Sequence, residues 1–169
     1  MFGVFRRILT LLLGAFLLAS CSINPLAKTS STFLPLVCRS IPGLSKLTVT
    51  RNSLPQSQMT FIFPADVMVS NQGQVQSIAR ALCALPINPS HTSINCPVDF
   101  GVAYDLTFYS KEQIFPVVSF DPSGCQFVRG LVKDQWIIQS PGFWHTLGVA
   151  MGIKGANNST FRGQGPNVS

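Results

Sequence analysis

The sequence predicts an α+β domain: an antiparallel sheet with two helices packed on one face, held by two disulfides. Three observations predict it. Val102, Tyr104, Leu106 and Phe108 alternate with Ala103, Asp105 and Thr107, the period-two pattern of a half-buried strand. Val75, Ile78, Ala79, Leu82 and Cys83 recur at helical spacing. The order is strand, strand, helix, further strands, helix. It matches helices laid on an antiparallel sheet and not alternating βαβ units.

Residues 1–20 place Arg6 and Arg7 ahead of an unbroken apolar run at residues 8–18. Those eleven residues suit an export signal and fall short of the ~20 that span a bilayer. Phe5, Leu9 and Thr10 fit the flanks of a twin-arginine signal poorly, so the general export route is expected. Cleavage before Cys21 leaves 149 residues, room for one domain. Residues 21–32, with Pro25 and a Thr-Ser-Ser-Thr cluster, read as a tether.

The domain is expected over residues 33–154. Leu47 and Val49 alternate with Lys46, Thr48 and Thr50, giving a strand at 45–51, and 59–63 gives a second, rich in β-formers. Pro64 marks a bulge or an edge, with pairing resumed at 66–69. Asn71 followed by Gln74 is a cap signal for the first helix, and Pro86 stops it. A Pro- and Asn-rich loop covers 85–99. The strand 100–109 turns at Ser110-Lys111-Glu112-Gln113 into a partner at 114–120, where Pro116 indicates a free edge. Asp121-Pro122-Ser123-Gly124 has β-turn composition. Residues 126–131 and 135–139 supply further strand material. Ser140-Pro141 opens a second helix, with Trp144, Leu147 and Met151 on one face. Residues 155–169 have almost no apolar content and are expected to be disordered.

The chain holds five cysteines. With Cys21 set aside, Cys38, Cys83, Cys96 and Cys125 form an even set in an exported chain, which implies two disulfides. A turn centred between Lys111 and Glu112 puts Cys125 opposite Val98, two residues from Cys96. That register favours Cys96–Cys125, and Cys38–Cys83 by elimination; the rival is a Cys83–Cys96 bridge closing the loop.

Charge and motifs exclude several function classes. The chain carries +6; without Arg6 and Arg7, ten basic residues face six acidic ones. The basic residues are scattered, so no nucleic-acid stripe forms, although weak attraction to anionic headgroups or wall polymers needs no cluster. His91 and His145 lack partners at metal-ligand spacing, and no cofactor motif is present. Asp99 with Asp121 is the one carboxylate pair to weigh as a glycosidase pair, and its spacing alone does not support an enzyme. Tyr104, Phe108, Phe115, Phe120, Phe127, Trp136, Phe143 and Trp144 read as core before they read as a ligand cleft.

Three resemblances add to this reading. Leu18-Ala19-Ser20-Cys21 resembles the lipobox of bacterial lipoproteins, which implies a diacylglyceryl thioether on Cys21, a membrane anchor and an extracytoplasmic location. Ala-Leu-Cys-Ala-Leu-Pro at 81–86, Cys96-Pro97-Val98-Asp99-Phe100-Gly101, Ser123-Gly124-Cys125 and Ser140-Pro141-Gly142-Phe143-Trp144 are similar to small uncharacterised lipoproteins of soil bacteria, a likeness that implies no activity. Cys96-Pro97-Val98, opening a hairpin closed by Cys125, resembles the reactive-site hairpin of the subtilisin-inhibitor family. That likeness implies Val98 offered to a protease pocket with Asp99 after the scissile bond. The chain departs from that family by continuing with a strand and a helix after its last cysteine. The sequence thus leads to a non-enzymatic, lipid-anchored binding or structural module of the cell envelope, with a protease inhibitor as the alternative.

Overall fold

Ten residues in a row, Leu44–Ser53, form the long strand β1, its apolar positions Leu44, Leu47 and Val49 buried. The computed structural model describes residues 35–87, 95–131 and 136–165, within a compact unit, Leu34–Ser169; a second unit, Met1–Phe33, lies outside the described residues, and with it the expected lipobox, Cys21 and tether. Beside β1 run β2 (Asp66–Val69) and β3 (Val102–Ser110), followed by β4 (Val118–Phe120), β5 (Phe127–Arg129) and β6 (Trp136–Ile137). All pairings are antiparallel, in the order β2-β1-β3-β4-β5-β6.

The two expected helices are present. In α2 (Gln72–Cys83) the Asn71 side chain accepts the Gln74 N–H, and Val75, Ile78, Ala79 and Leu82 are buried. Helix α3 (Pro141–Ala150) turns Phe143, Trp144 and Leu147 inward. It ends at Gly152, whose φ of 76° lets Gly152 N–H reach the Val149 carbonyl and Ile153 N–H the Gly148 carbonyl. Tyr104, Phe120 and Val49 share the covered sheet face, where the Phe120 ring meets those of Phe143 and Trp144 at 5.5 and 5.6 Å. The opposite face keeps Thr48, Thr50, Asp105, Thr107 and Ser119 toward solvent. Asp105 there accepts from Asn52 on β1 at 2.8 Å and from Ser119 on β4.

Both preferred disulfides form, Cys38–Cys83 with Cα atoms 5.8 Å apart and Cys96–Cys125 at 4.6 Å. Cys38 belongs to a one-turn helix, α1 (Leu36–Arg39), which leads through a 3-10 turn at Ile41–Gly43 into β1. Neither was expected, since four residues are too few to show a period.

Other expectations are corrected. Residues 59–63 are not a strand; only Thr60 bridges, to Gln164. Phe61 and Phe63 instead close over the Arg51 guanidinium, 3.8 and 5.1 Å from their ring centres, while Arg51 Nη1 donates to the Phe63 carbonyl at 3.1 Å. Pro116 marks no free edge, because β4 lies between β3 and β5. The Tyr109–Ile114 bridge and the Leu106–Val118 pair differ by one residue, so the proline sits in an irregularity ahead of the strand. The turn after β4 also moves along the chain, with Gln126 N–H donating to the Ser123 carbonyl at 3.2 Å. The expected material at 126–131 and 135–139 shortens to β5 and β6.

The tail is the largest correction. Residues expected to be disordered form α4 (Asn158–Arg162), opened by a capping box between Asn157 and Thr160. Phe161 is fully buried against Tyr104, Phe63 and Trp144, and its carbonyl accepts the Tyr104 hydroxyl at 2.8 Å. Burial pushes the Tyr104 phenol far above its usual range, with Arg51 pulling the other way, so it stays a neutral donor. The structured domain therefore runs past residue 154. As expected, Tyr104, Phe108, Phe115, Phe120, Phe143 and Trp144 are core.

Candidate functional site

The segment Cys96-Pro97-Val98-Asp99-Phe100 belongs to no helix or strand, is exposed and is covalently tied at its start to Cys125. Hydrogen bonds from both sides hold it further. Asp99 Oδ1 accepts from Gly101 N–H at 3.0 Å and from the Ser123 hydroxyl at 2.8 Å, closing an Asx turn. Ser123, only 1% exposed, also accepts the Phe100 N–H at 3.1 Å. From the other side, Leu54 N–H donates to the Gly101 carbonyl at 2.9 Å and the Ser57 hydroxyl to that of Phe100 at 3.3 Å. The result is a braced loop at the open end of the β3–β4 hairpin that shows Val98 at 72% and Phe100 at 40% exposure. Exposed apolar side chains on a rigid support are what a recognition loop presents.

The Val98 carbonyl accepts the Gly124 N–H at 3.3 Å. A carbonyl delivered to a protease's oxyanion hole receives its hydrogen bonds from the enzyme, so docking at Val98 requires that bond to open. Pro97 and Asp99 flank it as the sequence placed them.

Ser123→Ala is expected to cost about 1–3 kcal/mol, because it leaves the Phe100 N–H without its acceptor. Faster amide exchange at Phe100 and Gly101 checks this; unchanged exchange there would show that the brace is idle.

Asp99 and Asp121, distant in sequence, line one shallow cleft of about 270 Å³ with Asn52, Leu54 and Ala103. Asp121 pairs with Arg129 at 2.9 Å, and Asp99 is occupied by the turn. Desolvation raises the Asp121 carboxyl above the ordinary carboxylate value, Arg129 opposes the rise and Asp99 adds to it. With the folded value raised, the native state holds this proton longer than the unfolded chain does. Its contribution is therefore fully present below the unfolded pKa and is lost as pH climbs through the folded one. Arg129→Met removes the opposing charge, so Asp121 is expected to titrate still higher, read from its carboxyl carbon shift by NMR. An unchanged or lowered midpoint would contradict the pairing.

Among the described residues, neither carboxylate is placed beside a histidine. His145 lines a separate cleft with Asn71, Gln74 and Ser77, and His91 lies outside the described residues. Among the described residues, no group of His, Cys, Asp and Glu is placed to hold a metal, and no helix is long and apolar enough to cross a membrane. The brace itself went unread in the sequence. Asp99 two residues before Gly101 was its local signal, but Ser123 joins through a contact 24 residues away. No protein family, curated protein or solved structure matches the chain.

Proposed function

We propose that the protein is a lipid-anchored, extracytoplasmic, non-enzymatic binding or structural module of the bacterial cell envelope. One observation supports the reading: the four cysteines of the domain pair with one another, which leaves the fifth, Cys21, in a Leu-Ala-Ser-Cys sequence that resembles a lipobox and follows an apolar run. Two disulfides belong in an oxidising compartment, and two acyl chains on Cys21 supply the two-chain requirement for stable anchoring. Diacylglyceryl is the membrane partner; nucleic acid and cofactors have no part in the reading. The test is the mass of the N-terminal peptide of protein purified from the membrane fraction of its own host. A Cys21 peptide carrying the diacylglyceryl mass supports the anchor; an unmodified Cys21 in soluble material sinks it.

The braced exposure of Val98 favours a second reading, a protease-inhibitory loop at Val98-Asp99. It requires slow cleavage there by a subtilisin-like protease, and Val98→Pro must abolish tight binding. Unchanged affinity in that variant ends the idea.

A further inference from the structure

The turn after Cys125, the connection from β6 into α3 and the start of α4 meet around a cleft of about 570 Å³, a size usual for small-ligand sites. Gln126, Gln139, Asn157, Asn158 and Ser159 give it a polar lining, and the buried side chains of Trp144 and Ile138 an apolar one. Among the described residues, no charged side chain lines it.

The walls of the cleft are tied to one another. Gln126, at a φ of 54°, is the one non-glycine residue in the left-handed region among the described residues. Its N–H donates to the Ser123 carbonyl at 3.2 Å, and its carbonyl accepts the Ile138 N–H at 3.0 Å. Its side-chain oxygen accepts from Asn158 Nδ2 at 3.4 Å, and the same Nδ2 donates to the Pro122 carbonyl at 2.9 Å. A sparsely populated backbone conformation held in this way is typical of ligand sites.

Trp144 supplies an independent observation. Its ring packs against Phe120, Phe143 and Phe161 and is 2% exposed, yet its Nε1–H donates to no acceptor among the described residues. A buried indole N–H ordinarily has a partner. Gln139 also spends neither end of its carboxamide among the described residues, and Asn158 leaves its Oδ1 unused there. The ligand that completes this cleft is therefore uncharged, presents an acceptor to Trp144 and carries donors and acceptors side by side for the carboxamides. A pyranose ring does the last with its hydroxyls, and an acetamido carbonyl is the acceptor that the indole lacks.

We propose that the cleft binds an N-acetylated amino sugar of a neutral glycan segment, its acetamido carbonyl accepting from Trp144 Nε1 and its hydroxyls meeting Gln139 and Asn158. The proposal deepens the reading of the chain as an envelope binding module and rests on it for the setting in which such a glycan is met.

The test follows the indole ¹H–¹⁵N signals of the full chain in detergent during titration with the trimer of N-acetylglucosamine. The chain has two tryptophans. The Trp144 signal is identified by its loss in Trp144→Phe or, where that variant does not fold, by its persistence in Trp136→Phe. The trimer is expected to shift the Trp144 signal saturably and to bind at least about fivefold more tightly than cellotriose, which has the same ring without the acetamido group. Gln139→Ala, an exposed substitution that breaks no hydrogen bond among the described residues, is expected to weaken the trimer about fivefold, as the loss of one neutral hydrogen bond does. A Trp144 signal unmoved by the trimer overturns the proposal. So does equal binding of cellotriose or of a neutral acetylated dipeptide amide, and so does unchanged affinity in Gln139→Ala. The mass of the Cys21 peptide is read on the same sample. An unmodified Cys21 with the sugar response intact removes the anchor and supports the cleft, whereas a lipidated Cys21 with a silent indole removes the cleft alone.

Discussion

Phe161→Ala is expected to lower the unfolding free energy by about 3–5 kcal/mol, a large share of the ~5–15 kcal/mol typical of a domain. The ring is fully buried, with centroid distances of 5.3 Å to Trp144, 5.6 Å to Tyr104 and 5.8 Å to Phe63. Its truncation opens a void among rigid aromatic neighbours that are poorly able to collapse into it. A second loss follows. Five residues of α4 cannot stand as a helix without tertiary support, so release of the ring loosens the segment that also supplies the acceptor for the Tyr104 hydroxyl and the Thr60–Gln164 bridge. Urea unfolding under oxidising conditions, followed by tryptophan fluorescence, measures it. A loss under about 1 kcal/mol would show that the tail is ornamental to the core.

That tail also shows where the sequence was legible and where it was not. Helix α2 and strand β3 were legible because each repeats its own period long enough to be recognised, with burial following the pattern residue by residue. The hairpin register was legible closely enough to pair Cys96 with Cys125, although the ladder runs one residue out of the expected register past Pro116. Residues 155–165 carry one large apolar side chain, Phe161, in a polar stretch, so no period exists to read. The local signal was Asn157 with Thr160, the capping box, which reads equally well as loop composition. Phe61 and Phe63 failed for the opposite reason. Their alternation is that of a strand, but the partner they found was the Arg51 guanidinium and not a neighbouring strand. The site followed the same rule. Val98 and Asp99 were visible as a stapled loop, whereas the Ser123 brace and the shared cleft of Asp99 and Asp121 depend on contacts that only the folded hairpin makes.

Replacing Cys38 and Cys83 together by alanine is expected to cost about 4 kcal/mol, the chain-entropy value for a bridge spanning 45 residues. The whole of that value is expected, because the bridge joins α1 to the last turn of α2 where the neighbouring Val37 and Leu82 are buried, packing that does not depend on the bond. The native state therefore regains little freedom when the bond is absent, while the unfolded chain regains all of it. Cys96 with Cys125 spans 29 residues, and loop length alone gives almost as much. A smaller loss, about 1–2 kcal/mol, is expected there, because residues 95–100 are exposed and the freed loop recovers entropy in the folded state as well. Urea unfolding of the two double variants, with limited proteolysis at 95–100, separates the cases. The first should lose stability throughout, and the second should become cleavable in the loop while keeping most of its unfolding midpoint. Equal losses would mean that the braced loop is integral to the core. A loss near zero for Cys38 and Cys83 would remove the physical reason for placing this domain in an oxidising compartment.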